Sequence, residues 1–245
     1  MKRLFRLSML LALSVALIVP LSVGLADGSL GNPGVLPPNS HPYGKTYVEW
    51  SLQWSRWAYS IPFATNPVIN DLTGAYCGNG QSGPVWFLAG TFNPGAITRS
   101  CTIPPGKAIF FPIINVNNDY PCPDPNFKPG PGQSMEDFLT NGYGDIPGAK
   151  DYIDPVTAAD LKVEVDGTSL QNLLSYRKTS SLYYFTGDIS LKDTWDPCVT
   201  GTEQPAVQDG YWIMLAPLSA GKHTLHLYGN NGIWAPDVTY NLTIK

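Results

Sequence analysis

Histidine, charge and long apolar runs are all scarce in this sequence. Three histidines, His41, His223 and His226, are spread over 245 residues. His41 lies in a proline-rich stretch, and the other two lie in an alternating segment that reads as a strand. Imidazole chemistry therefore has few places to act. Only 14% of the residues are charged, and 15 Lys and Arg face 19 Asp and Glu. The net charge of −4 becomes more negative once Lys2, Arg3 and Arg6 leave with a leader. That balance excludes nucleic acid as the main partner, because binding phosphates needs clustered cations. Beyond residues 7–19 no segment is apolar for the about 20 residues that a membrane span needs, so no membrane association is expected after leader cleavage. G-x-S-x-G, H-E-x-x-H, the P-loop and a G-x-G-x-x-G opening a βαβ unit are all missing, which leaves no ready-made catalytic motif.

What is present is turn-forming and aromatic, with 24 Gly, 23 Pro and 29 Phe, Trp and Tyr in all. The basic start, the apolar run and Gly24-Leu25-Ala26 before Asp27 read as a secretory signal peptide over 1–26. Residues 27–42 carry prolines and glycines without periodicity and read as a mobile arm. A single domain is expected over 43–245.

Thr46 and Glu49 form a capping box ahead of Tyr47, Trp50, Trp54, Trp57 and Ile61, whose spacing puts one aromatic stripe on one helix face. A lone helix on a sheet must bury such a stripe, so these rings are expected in the core. Val85–Ala89 and Ala108–Ile114 read as buried strands. Leu161–Val165, Ser181–Thr186, Tyr211–Leu215, Lys222–Tyr228 and Val238–Ile244 add further strands. Ser134 caps a short helix to Leu139. Many short strands between turns point to an all-β fold, an elaborated β-sandwich of jelly-roll or immunoglobulin-like kind with one N-terminal amphipathic helix.

Tyr43-Gly44-Lys45-Thr46-Tyr47 with Glu49-Trp50-Ser51, Trp54 and Trp57 resembles the opening of an uncharacterised family of secreted bacterial proteins. Gly83-Pro84-Val85-Trp86-Phe87-Leu88-Ala89-Gly90-Thr91, and Pro217 with Gly221-Lys222-His223-Thr224, resemble the same family. The resemblance implies export and a shared fold, and it carries no catalytic residue.

Cys77, Cys101, Cys122 and Cys198 are even in number in a chain read as exported, so disulfides are expected. Three pairings are open. Cys77–Cys101 is preferred because it is local to neighbouring strands, which leaves Cys122–Cys198. The second bond would bring together two loops, Asn115–Gly132 and Lys192–Gln208. These carry Trp195 and Tyr120 beside Asn115, Asn117, Asp119, Asp124 and Asp196, with Asp193 and Asp209 nearby. Sugars present apolar faces to aromatic rings and hydroxyls to amides and carboxylates. The set therefore predicts a secreted or periplasmic binding protein for a polar extracellular ligand, a glycan or another polar small molecule. Two acids flanking a cleft would instead make a carboxylate-dependent, glycosidase-like hydrolase. A structural envelope or matrix protein is the third reading. No cofactor is expected beyond a single Ca²⁺, for which Asn117, Asp119 and Asp124 offer hard oxygen ligands.

Overall fold

Thr46 caps helix α1 (Tyr47–Ser60), and both halves of the capping box form. The Thr46 side chain accepts the Glu49 N–H, and the Glu49 carboxylate accepts the Thr46 N–H at 2.7 Å. Trp50, Trp54 and Trp57 are all buried, as the stripe predicts. Three of the first helix's neighbours are rings of the sheet it covers: Phe87, Phe110 and Trp212.

The computed structural model describes residues 34–245. The signal-peptide reading over 1–26 and the start of the arm lie outside the described residues. After α1 the chain runs through β1 (Val85–Phe87), β2 (Ile97–Ile103), β3 (Ala108–Asp119), α2 (Met135–Asn141), α3 (Ala149–Ile153), β4 (Leu161–Val165) and β5 (Thr168–Ser169). It continues through β6 (Arg177–Thr179), β7 (Tyr183–Thr186), β8 (Glu203–Leu215), β9 (Gly221–Gly229) and β10 (Asp237–Ile244). The chain is β-rich. One five-stranded sheet runs β1-β3-β8-β6, with β7 also on β8, and the other runs β2-β10-β9-β4-β5. Both are mixed, because β1–β3 and β10–β2 pair parallel while the remaining pairs are antiparallel. One apolar core draws on α1 and both sheets.

Several elements depart from the expectations. The stretch read as a mobile arm is anchored from Gly34: Leu36 donates its N–H to Met214 O, and Ala216 donates to Gly34 O. Tyr47 Oη also donates to Leu36 O at 2.5 Å. The run ending at Ile114 continues as strand to Asp119, and the loop expected over Lys192–Gln208 gives way to β8 at Glu203. Long pairing between β3 and β8 is the cause, since each supplies the other's backbone partners through the polar residues. Among the described residues α3 is an α-helix beyond the two expected, and Ser134 caps α2 as expected.

Both preferred disulfides are present, Cys77–Cys101 and Cys122–Cys198, and there are no free cysteines among the described residues. The hairpin from β4 to β5 turns on Asp166 and Gly167, both with positive φ. The Asp166 carboxylate then holds His223 Nδ1 at 2.7 Å and accepts the Thr224 N–H at 2.8 Å. The hydrogen bond to Asp166 pushes the His223 pKa up from its ordinary value. His223 is thus a turn-fastening residue. No helix among the described residues is long and apolar enough to cross a membrane.

Candidate functional site

Strand alternation places Asn115, Asn117 and Asp119 on one face of β3. Their partners across β8 are Gly210, Gln208 and Ala206. A Cβ on Gly210 would lie 2.6 Å from the Asn115 Cβ and 2.6 Å from Ile114 O, so glycine is what lets Asn115 occupy this face. Over this polar strip lies a cavity of about 240 Å³. It far exceeds the about 10–15 Å³ that one water needs, so it is large enough for a small organic group.

The cavity joins several parts of the sequence. Asn115, Asn117 and Asp119 line it from β3, Tyr59 from the last turn of α1, and Trp195 and Asp196 from the loop before β8. Phe92 and Trp234 line it from the loops after β1 and β9. The Trp195 loop is tightly wound, because Leu191 O accepts the N–H groups of both Trp195 and Asp196. Asp196 then uses Oδ1 to accept the Cys198 N–H at 3.0 Å and Oδ2 to accept the Tyr59 hydroxyl at 2.9 Å. The Trp195 ring stacks on Tyr59 with centroids 4.6 Å apart. The Cys122–Cys198 bond ties this loop to the segment that leaves β3 just beyond Asp119.

Asp119 is only 3% exposed. Its Oδ2 accepts from Gln204 Nε2, and its carboxyl lies within 4.8 Å of that of Asp196. Burial first, then the Asp196 charge, push the Asp119 carboxyl well above its ordinary value of 3.8. Burial and the same two acids also keep the Tyr59 phenol neutral. The wall thus presents the buried Asp119 carboxyl, the Asp196 carboxyl oriented by two donors, and two amides. Asn117 carries a further feature: its side-chain oxygen accepts from Tyr183, while its buried Nδ2 has no partner. An unpaired buried amide donor costs about 1–3 kcal/mol.

Of the ligand set expected from sequence, Trp195, Asn115, Asn117, Asp119 and Asp196 converge on the cavity. Tyr120 and Asp124 do not. Tyr120 stacks on Phe127 and packs in the separate cluster around Phe138. The Asp124 carboxylate accepts the Asn126 N–H in an exposed turn. The calcium set Asn117, Asp119 and Asp124 therefore does not assemble, because the chain turns away after Asp119 and carries the Asp124 carboxylate into an exposed turn. Asp119, Asp196 and Cys198 do lie within 4.8 Å of one another, but Cys198 is bonded to Cys122 and offers no thiolate. Asp209 is drawn off into an ion pair with Arg177 at 2.6 Å.

Sequence reasoning missed Tyr59, Phe92 and Trp234. Tyr59 sits off the Trp stripe of α1. Phe92 and Trp234 stand in Gly-, Asn- and Pro-rich turns, and an aromatic in such a turn is the available signal, since no core requires it there.

The buried acid makes stability depend on pH. With a raised folded value, Asp119 favours folding fully below pH about 3.8. That contribution is lost as pH rises through the folded value, because the unfolded chain has released its proton while the folded chain still holds it. Asp119→Asn keeps a neutral group at every pH. Urea midpoints measured from about pH 4 to 8 should show the variant gaining on the wild type as pH rises. Parallel profiles would mean that Asp119 is ionised in the fold.

No protein-family model, curated protein or solved structure matches this chain.

Proposed function

We propose that this chain is a secreted or periplasmic binding protein for a polar extracellular ligand, a glycan, seated in the cavity over β3. The observation that carries the reading is the division of the cavity into an aromatic wall and a polar strip. Tyr59, Trp195, Phe92 and Trp234 supply apolar ring faces, and Asn115, Asn117, Asp119 and Asp196 supply amide and carboxyl groups. A sugar ring needs both, CH faces against π-surfaces and hydroxyls against planar polar groups. Two disulfides fit an oxidising compartment. The jelly-roll or immunoglobulin-like sandwich belongs to the same proposal, and it rests on an apolar core to which both sheets contribute.

The test is a glycan array followed by calorimetry on wild type and Trp195→Ala. The variant should bind at least about tenfold more weakly, equivalent to ~1.4 kcal/mol, with an unfolding midpoint close to wild type. Wild-type protein that binds no glycan, or equal affinity in both proteins, would remove this reading.

One observation favours a second reading, a carboxylate-dependent hydrolase. The Asp119 and Asp196 carboxyl groups lie within 4.8 Å of each other, and burial and the Asp196 charge raise the Asp119 value, as suits a general acid beside a second carboxyl. Reducing-sugar release from a bound glycan by wild type, abolished in Asp119→Asn while binding persists, would establish it. Binding without turnover leaves the first reading in place.

A further inference from the structure

Five aromatic rings form an unbroken track that starts inside the cavity and ends outside it. Tyr59 stacks on Trp195 at 4.6 Å, Trp195 meets Phe92 at 5.6 Å, Phe92 meets Trp234 at 6.5 Å, and Trp234 meets Tyr152 of α3 at 5.8 Å. The inner end is closed: Tyr59 is buried and its hydroxyl donates to Asp196. The middle ring, Phe92, is 48% exposed, and Trp234 and Tyr152 beyond it are half-buried against the core. Tyr152 lies beyond the residues that line the cavity.

We infer that the cavity is the closed end of a longer site for an uncharged oligosaccharide, whose successive units lie along the rings from Trp195 to Tyr152. The inference rests on the glycan reading and adds the length and charge of the ligand. Each ring-to-ring step is comparable to one pyranose unit, so a chain end held at Asp119 and Asp196 meets a fresh aromatic face at each unit. The backbone keeps the outer rings in place without a ligand. Asn231, itself buried, accepts the Trp234 N–H with Oδ1 at 3.0 Å and donates from Nδ2 to the main-chain oxygen of Tyr152 at 3.1 Å. Asn93, next to Phe92, is fastened by its N–H to Thr91 Oγ1 at 3.0 Å. A track ordered in advance avoids the cost of ordering loops on binding. Among the described residues no Lys, Arg or His lines the cavity, whereas two carboxyl groups do. An acidic polymer would meet a negative charge with no cation to offset it, so uronic-acid chains are excluded.

The test uses an array of neutral gluco-, manno-, galacto-, xylo- and N-acetylglucosamine series of one to six units, with uronic-acid oligomers alongside. Affinity in at least one neutral series should rise through about three or four units and then level off, and the uronic acids should bind more weakly at every length. Tyr152→Ala removes the outermost ring but not the main-chain oxygen that holds Asn231. It should lose the gain of the longer oligomers, about fivefold to tenfold, and keep the affinity for the shortest one that binds. Tyr152→Phe should restore the gain. Binding that is flat with length, or unchanged length dependence in Tyr152→Ala, would overturn the track and leave the cavity reading standing. Preference for uronic acids would overturn the charge argument, and no binding in any series would remove both.

Discussion

Trp54→Ala is expected to lower the unfolding free energy by about 3–5 kcal/mol, the range for a large aromatic side chain removed from a packed core. Trp54 is buried where α1 meets the first sheet. Its ring lies 5.4 Å from Trp212 and 5.8 Å from Trp57. Trp212 in turn stacks on Phe110 with planes 6° apart. Truncation leaves a gap that rigid rings on both sides cannot close. The Trp54 indole N–H also donates to Leu88 O at 2.8 Å, and that carbonyl would lose its partner inside the core. Urea unfolding followed by circular dichroism measures the loss. A change below about 1 kcal/mol would place the stripe in a role other than packing.

Arg99→Leu should be nearly as damaging, by about 3–5 kcal/mol, although it puts an apolar side chain at a buried position. Arg99 is fully buried on β2. Its Nε donates to Asp71 O at 2.8 Å, and its Nη1 donates to Gly90 O at 2.9 Å and to the Tyr240 hydroxyl at 2.8 Å. Leucine would strand these acceptors without water to replace the guanidinium. Gly90 leads directly into Thr91 and Phe92 at the cavity mouth. The same variant should therefore weaken ligand binding as well as the fold, which distinguishes it from Trp195→Ala. Retention of wild-type stability would show that the carbonyls find other donors.

The parts of the fold governed by local pattern were legible in the sequence. The α1 capping box, the buried Trp stripe, β9 and β10 follow from spacing and turn chemistry, and the disulfides formed as the preferred one of three possible pairings. β2 was not legible, because its inward positions are Arg99, Cys101 and Ile103, and a buried arginine breaks the apolar alternation. The polar end of β3 read as a loop because Asn115, Asn117 and Asp119 face a cavity and not the core. A strand that lines a site departs from the alternation that identifies strands elsewhere. Five members of the candidate set came together because one disulfide joins their two segments. Tyr120 and Asp124 were included by proximity in sequence, and the turn after β3 takes them elsewhere. Phe92 and Trp234 lie about 140 residues apart and meet only through the tertiary fold.

The bond between Cys122 and Cys198 also has a temporal consequence. It connects a strand made midway through synthesis to a loop 76 residues later, and it cannot close until both have left the ribosome and met an oxidant. Until then the segment carrying Trp195 and Asp196 is joined to the Asp119 end of β3 by noncovalent contacts alone. A reduced chain would thus have this wall of the cavity unfastened, and oxidation would be the step that completes it. Binding measured before and after reduction of the folded protein should follow the closure of this one cross-link.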